Sequence, residues 1–487
     1  LCSADTNGVF QVESQGMKDL LLRLQPSNLE DVSAVLALYR PDSMGALDEY
    51  IECKHGRKKV HYIHPDMEPI LKDTYGCLIY QESVMEVVRK FGGRTYGGAD
   101  KFRKAIGKKN LEMIKQESEK LYQEIIDNGY SEDIARQISD ELSSKGGYCF
   151  NRSHSALYAI LTLQTAYLKA KYPTEFFCGL LNQKRDDYGA INKYIIDSKN
   201  FNVKILPPHI NRSDRIFSVY NEKILFGLEA IKGVGEKFVD ALIDERSVHK
   251  FDNFDDFYER MSPSISIVIS LTKAGAIPCK NKKEFLLSFA KSQFKNKEYT
   301  PVSTLPKLSV LKEKYGIDGE VIKAKEDRLK LYNTAKMKEF YQTQDEKNKK
   351  AISEFVEKYL KNEDLWEFEA LSVFLTYNPF EKAYEFIEMP FESVDDGGKG
   401  IVVGVIANIQ KKKDRTGKQF AFIWMYSAFG LIEATCWHTQ LKQYEDLIKR
   451  GTQVAMLCAK SDDKAIVKEM KSYDQWLEDR QLKQRIS

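Results

Sequence analysis

Residues 97–110, GGADKFRKAIGKKN, set Lys101, Arg103, Lys104, Lys108 and Lys109 behind a pair of glycines. Cations at that density suit one task well, the neutralisation of a polyanion such as a run of phosphates. The pattern equally fits a solvated helix, with Phe102 and Ile106 one turn apart on its anchored side. A second polar cluster, Asn151-Arg152-Ser153-His154, stands at the head of the apolar stretch ALYAILTLQTAYL. Ser153 is expected to cap a helix there, whose positive end suits an anion; a plain cap beside a surface histidine is the alternative.

Two further sets point toward nucleic acid. Lys232-Gly233-Val234-Gly235, with Lys237 close behind, joins a short helix to a longer one. Glycines at such a turn let backbone N–H groups approach a phosphate, and the helix N-terminus adds positive potential. The stretch resembles a helix-hairpin-helix motif, with Val234, Phe238 and Leu242 packing the second helix; a purely structural turn is the other reading. In KQFAFIWMY, Phe420, Phe422, Trp424 and Tyr426 share one strand face, and Ala421, Ile423 and Met425 share the other. Either the rings fill a barrel, or they lie outside and stack unpaired bases at about 1–3 kcal/mol each. Lys411, Lys412 and Lys413 at the adjoining turn supply charge for a nucleic-acid backbone.

The elements that hold these residues are legible from periodicity. GMKDLLLRL, DVSAVLALY, ESVMEVVRKF, LEMIKQESEKLYQEII and SEDIARQISDELS space apolar residues at three and four, which predicts helices across most of 1–200. ILPPHIN (205–211) reads as a connector, and 310–370 as charged, solvated helix. After DDGGKG (395–400) the period becomes two. Five strands are expected in IVVGVIANIQ, KQFAFIWMY, GLIEATCWH, TQVAMLCAK and AIVKEMKSY, with a helix in LKQYEDLIKR before the fourth. That order is the one an OB-fold uses. The expected fold is therefore multidomain and mainly α, ending in a five-stranded β-barrel.

Bulk properties agree. The 487 residues suffice for roughly three domains. A net charge of +3 leaves any attraction for nucleic acid to local patches. The eight cysteines include no CxxC pair, which argues against a zinc site or disulfide framework and fits a reducing cytoplasm. No apolar run is long enough to span a bilayer, since Thr162, Gln164 and Thr165 interrupt the best stretch. The first residue is Leu1 and no signal-peptide pattern follows, so a piece of a longer or processed product is expected.

Seven blocks occur in a familiar order: DTNGVFQVES (5–14), HGRKKVHY (55–62), LKDTYGCLIYQESVM (71–85), GGADKFRKAIGKK (97–109), GYCFNRSHSALYA (147–159), KILPPHIN (204–211) and GLEAIKGVGE (227–236). Together they resemble the C-family replicative DNA polymerases of the bacterial DNA polymerase III alpha type. The resemblance implies fingers with a palm remnant over 1–205, a helix-hairpin-helix domain over 206–300 and a charged helical region over 301–398. An OB-fold over 399–475 and a tail over 476–487 complete it. It further implies that Arg103, Lys104, Lys108, Tyr148, Asn151, Arg152, Ser153 and His154 face an incoming nucleotide. Lys232, Gly233, Gly235, Lys237, Lys411, Lys412, Lys413, Phe422, Trp424 and Tyr426 would touch DNA. Primer–template DNA, dNTP, a missing palm portion and other replisome subunits are the implied partners, in a bacterial or phage cytoplasm with no membrane.

Departures accompany the match. The family's paired arginines are Arg103-Lys104 here, its lysine in the histidine segment is Arg152, and its aspartate after the double proline is His209. Cys149 stands where most relatives have glycine; a tolerated small residue, or the scar of protein splicing, explains it. The family's palm carboxylates, which hold two Mg²⁺ about 4 Å apart, have no counterpart. FDNFDDF (251–257) is rejected as a substitute, and STLPKL (303–308) is a faint sliding-clamp motif at best. The expectation is thus a polymerase portion with no catalytic residue of its own, its Mg²⁺ held by residues outside this chain. The alternatives are a non-catalytic DNA-binding protein on the polymerase scaffold and a structural adaptor built on 310–370.

Overall fold

A computed structural model describes residues 1–487 apart from 41–43, 108–110, 146–148, 186, 295–296, 377, 388–390, 392–393, 428–429, 462–463 and 487. The chain divides into two compact units, Leu1–Leu180 and Leu181–Ser487.

Helices dominate the first unit: α1 (Gln15–Leu24), α2 (Leu29–Leu38), α3 (Met44–Lys54), α4 (Glu68–Leu71), α5 (Gln81–Gly92), α6 (Tyr96–Gly107), α7 (Leu111–Asp127), α8 (Glu132–Lys145) and α9 (Arg152–Lys171). Helix α10 (Pro173–Gln183) carries the chain into the second unit. One core gathers Leu21, Leu24, Val35, Leu47, Tyr50 and Tyr80 from α1, α2, α3 and the strand-like segment before α5. The other lies under α5 to α8, where Val87, Phe91, Phe102, Leu121 and Leu142 meet. Phe102 and Ala105 are fully buried, which fixes the roll of α6 and leaves Lys101 and Lys104 exposed.

Polar groups tie the two ends of this unit's sequence together. Thr162 and Thr165, which break the apolar run of α9, bond the backbone of Phe10: Thr162 Oγ1 donates to its carbonyl at 3.0 Å, and its N–H donates to Thr165 Oγ1 at 3.2 Å. The buried Lys169 ammonium donates to the Asn7 carbonyl at 2.9 Å. Under α2, buried Asp31 accepts from Lys54 Nζ at 2.9 Å, Tyr50 Oη at 3.0 Å, and both the N–H and hydroxyl of Ser27.

The second unit begins with α11 (Tyr188–Asn200) and a small sheet of β1 (Ile205–Leu206), β2 (Ser218–Tyr220) and β3 (Lys223–Leu225), in the order β1-β3-β2. Five helices follow: α12 (Glu236–Val248), α13 (Phe254–Met261), α14 (Ile265–Ala274), α15 (Lys282–Gln293) and α16 (Leu308–Tyr315). Helix α17 (Lys325–Tyr359) runs for 35 residues and buries only Tyr332 and Phe355, as its charge-rich sequence requires. Helix α18 (Trp366–Leu371) precedes the barrel.

The barrel consists of β4 (Lys399–Lys413), β5 (Gln419–Ser427), β6 (Gly430–Cys436), β7 (Gln453–Ser461) and β8 (Lys464–Ser472), closed in the order β4-β5-β6-β8-β7. The pairs are antiparallel except β6 with β8, which run parallel and complete the closure. This is the five-stranded OB-fold that the strand order implied, with helix α19 (His438–Gln443) between the third and fourth strands. That helix is shorter and earlier than LKQYEDLIKR suggested. The apolar spacing there is real, since Leu441 and Ile448 enter the barrel core with Tyr444 and Leu447 against it, but 444–447 form turns. Val402, Ile406, Ala421, Ile423, Met425 and Met456 fill the interior.

Candidate nucleotide and nucleic-acid sites

In the first unit the candidate site is organised around residues 80–82. Tyr80 and Phe150 form a parallel β-bridge: the Phe150 N–H donates to Ile79 O at 2.8 Å and the Gln81 N–H to Phe150 O at 2.9 Å. The Gln81 carboxamide continues the link. Its Nε2 donates to Cys149 O at 3.3 Å, while its Oε1 accepts from Arg103 Nη1 at 3.2 Å. The basic helix α6 and the segment leading into α9 are therefore joined through one side chain.

Arg103, Lys104 and Arg152 are each met by a carboxylate. Arg103 Nε and Lys104 Nζ both reach Asp100, at 2.8 and 2.7 Å, and hold its carboxyl below the usual range, Lys104 contributing most. Arg152 pairs with Glu30 at 3.1 Å and Asp73 at 3.4 Å, with its guanidinium 5.4 Å from the Tyr80 ring centroid. Lys104 remains 60% exposed, so one side of its ammonium faces water. Lys108 and Tyr148 lie outside the described residues.

The N-terminus of α9 differs from its sequence reading. The cap is Asn151, not Ser153: Asn151 has extended backbone, and its Oδ1 accepts the His154 N–H at 2.8 Å. Ser153 already belongs to the first helical turn and is exposed. The anion at this positive end is supplied internally. Glu82, in the first turn of α5, accepts from the Arg152 N–H at 2.8 Å and from Asn151 Nδ2 at 3.1 Å. The exposed His154 ring lies 4.3 Å from Tyr158 and 5.5 Å from Phe150, which leaves an aromatic edge beside the cations. Cys149 is buried, its Sγ 3.5 Å from Leu78 O, and burial pushes its thiol up to about 12, as for an inert structural cysteine.

In the second unit a 3-10 turn at Leu228–Ala230 leads to the glycine turn and then α12. Gly233 adopts φ +81°, and a Cβ there would come within 2.9 Å of Ser270 Oγ, so both conformation and space favour glycine. Gly233, Gly235 and Lys237 are exposed. The packing residues of α12 are Val239 and Leu242, with Val234 buried in the turn; Phe238 is partly exposed, one position off the face expected. Lys232 faces elsewhere. It is half-buried, its N–H donates to Ala370 O of α18 at 2.9 Å, and its ammonium lies 5.9 Å from the Phe368 ring.

On the barrel, Ala421, Ile423 and Met425 point inward and the aromatic row lies outside. Phe420 and Phe422 lie 5.3 Å apart, and Phe422 and Trp424 6.2 Å. Trp437 joins Phe420 at 5.1 Å, with an interplanar angle of 32°. Lys412 Nζ sits 5.1 Å from the Phe422 centroid, Lys413 is exposed, and Lys411 reaches Glu445 at 3.5 Å. Tyr426 is taken up differently, with its ring centroid 4.0 Å from that of Phe368.

Residues 1–129 match the bacterial DNA polymerase III alpha subunit finger domain, and residues 202–284 match the helix-hairpin-helix motif. The DNA polymerase III subunit alpha of Aquifex aeolicus is 34% identical over 460 residues, covering 93% of this chain and 36% of the relative. The Campylobacter jejuni protein is 33% identical, covering 92% and 36%, and the Bacillus subtilis protein 31%, covering 93% and 39%. Over most of its own length the chain is thus similar to part of a DNA polymerase III alpha subunit. It spans a little over a third of the length of these relatives.

The polar residues that periodicity did not single out are the organisers. Gln81 and Glu82 lie in the block LKDTYGCLIYQESVM, and Asp100 in GGAD, but nothing in their spacing announces the partners they take. Trp437 follows β6 directly, a position that reads as strand rather than as part of an aromatic platform. The carboxylates of the finger site do not fit a two-metal centre. Each named acid is committed to a cation or a helix cap, and among the described residues no three His, Cys, Asp or Glu side chains gather to hold a metal. Within FDNFDDF, Asp256 accepts the Asp252 N–H and pairs with Arg260, an ordinary helix start. No described helix is long and apolar enough to cross a membrane.

Proposed function

We propose that this chain supplies the nucleotide-binding fingers and DNA-gripping modules for template-directed DNA synthesis. The observation that carries the reading is the junction at Gln81, where the Arg103 helix and the segment leading into the His154 helix are tied to one side chain. Arg103, Lys104 and Lys108 neutralise the triphosphate of a dNTP, and Arg152 stands with Asn151, Ser153, His154 and Tyr148 around it. Their action is electrostatic, stabilising charge that shifts during phosphoryl transfer. The attacking hydroxyl is the primer's own.

The exposed Gly233, Gly235 and Lys237 grip duplex backbone, and the outer row of the barrel holds single-stranded template. The working map is fingers over 1–205, helix-hairpin-helix over 206–300, charged helices over 301–398, OB-fold over 399–475 and a tail over 476–487. Mg²⁺ belongs to the complete polymerase and is held by residues other than those of this chain. The setting is a bacterial or phage cytoplasmic replisome, with primer–template DNA, dNTP and other replisome subunits as partners.

The test is binding of primer–template with and without the next correct dNTP. The expected result is tighter binding with dNTP, abolished by Arg103→Ala and by His154→Ala. DNA binding indifferent to dNTP in the parent chain would overturn the finger assignment and favour a plain DNA-binding protein. Robust primer extension by the chain alone with Mg²⁺ would overturn the placement of the metal site elsewhere.

A further inference from the structure

At the end of the aromatic row, the second unit contains a cleft of about 870 Å³. Its size falls in the range of small-ligand sites. Trp424 and Tyr426 form one wall, Phe368 of α18 closes the back, and Lys232 and Arg450 bring two cations to it. Glu369 lies in the lining too, but its carboxylate is occupied by Lys273 Nζ at 2.6 Å.

The cleft arises from a break in β4. Val403 and Val405, on the outer face of the strand, are covered by Leu365, Phe368 and Phe380. A bulge then intervenes: Ile406 pairs with Met425 but Asn408 pairs with Trp424, so Ala407 is the extra residue. Beyond it the outer face is open, and Asn408 is exposed beside the Trp424 ring. Arg450, on the exposed turn before β7, makes no hydrogen bond or ion pair with a described residue. Burial and the neighbouring Arg450 push the Lys232 ammonium below its ordinary range, with Glu369 opposing. An anion between the two cations would relieve that repulsion.

We propose that this cleft takes one unpaired nucleotide of a DNA strand, its base against Trp424 and its phosphate between Lys232 and Arg450. The inference rests on the reading of the barrel as a single-strand-binding module and adds a defined subsite to it. Trp424 belongs to both features, being 6.2 Å from Phe422 in the row and a wall of the cleft. A strand stacked along Phe420 and Phe422 therefore presents its next base to the cleft mouth.

The experiment titrates the full chain with a labelled oligothymidylate and follows both anisotropy and tryptophan quenching. Trp424→Leu should weaken binding about ten-fold and remove most of the quenching, as expected for one stacked base. Arg450→Gln, at an exposed position that leaves the core intact, should weaken binding several-fold. It should also make the salt dependence shallower by about 0.7 in log–log slope. Unchanged binding and slope in Arg450→Gln, with strong loss in Phe422→Leu, would overturn the cleft while leaving the outer row as the strand's site. Absence of single-strand binding by the parent chain would overturn both. Quenching by free dTMP equal to that by the oligonucleotide would overturn the assignment to a strand.

Discussion

In the first unit Arg103, Lys104 and Arg152 each rest against a carboxylate, whereas on the barrel Lys412 faces an aromatic ring and Lys413 and Arg450 face water. The first arrangement holds cations in set positions and offsets their charge, so a ligand must compete with Asp100, Glu30 and Asp73. The second leaves charge and rings open to solvent. A site that must position one triphosphate gains from preorganised groups that do not move on binding. A surface that must accept every base in turn gains from stacking and unspecific charge. The difference lies less in residue types than in where the acids sit.

The largest expected effect concerns the internal pairing of the first unit. Lys54→Met leaves the buried Asp31 carboxylate without its cation, and urea denaturation should show a loss of about 3–5 kcal/mol. The same group sets a pH dependence. Burial alone would raise the Asp31 carboxyl, but hydrogen bonds from Ser27, Lys54 and Tyr50 outweigh it and hold it below its ordinary value. The folded state thus binds fewer protons than the unfolded one there. That stability is present above the unfolded carboxylate range and lost as pH falls below about 4. Asp31→Asn should flatten the acid limb of a stability–pH profile; an unchanged limb would place the acid sensitivity elsewhere.

On the barrel, Phe422→Ala should weaken oligothymidylate binding about ten-fold while leaving dNTP-dependent tightening in place. Loss of both would contradict the separation of the two surfaces. A smaller change is expected from Asp100→Asn, which frees Arg103 and Lys104 from their shared acid. Binding of dNTP should strengthen a few-fold and become more salt-sensitive, read by titration calorimetry at two ionic strengths. Weaker binding would mean that Asp100 is needed to aim Arg103 rather than to restrain it. Lys411→Gln, at an exposed pair with Glu445, should shift single-strand affinity by less than about three-fold.

Much of the fold was legible because it rests on local periodicity. The three-and-four spacing of LEMIKQESEKLYQEII became α7, and the alternation of KQFAFIWMY became β5 with its rings on one face. The glycine turn at 233–235 was legible for a similar reason, since a positive φ favours one residue type. Less legible were details that depend on what lies opposite. Ser153 and Asn151 are both good caps by composition, and the choice fell to Asn151 because Glu82 holds the Asn151 carboxamide and the Arg152 N–H. Lys232 reads as one side of the glycine turn, whereas in the fold its N–H bonds Ala370 O of α18 and its side chain is half-buried.

By itself, the sequence determined the helices of the first unit, the order of the barrel strands, and the basic character of α6, because spacing and charge are properties of the chain. It also determined that Phe420, Phe422, Trp424 and Tyr426 share a face, because a strand has period two. Only the tertiary structure decided which side of the strand is inside, which acid neutralises which base, and that Gln81 joins α6 to the segment before α9, more than forty residues further along the chain. Those choices depend on side chains brought together by burial, and no local pattern records a partner that distant.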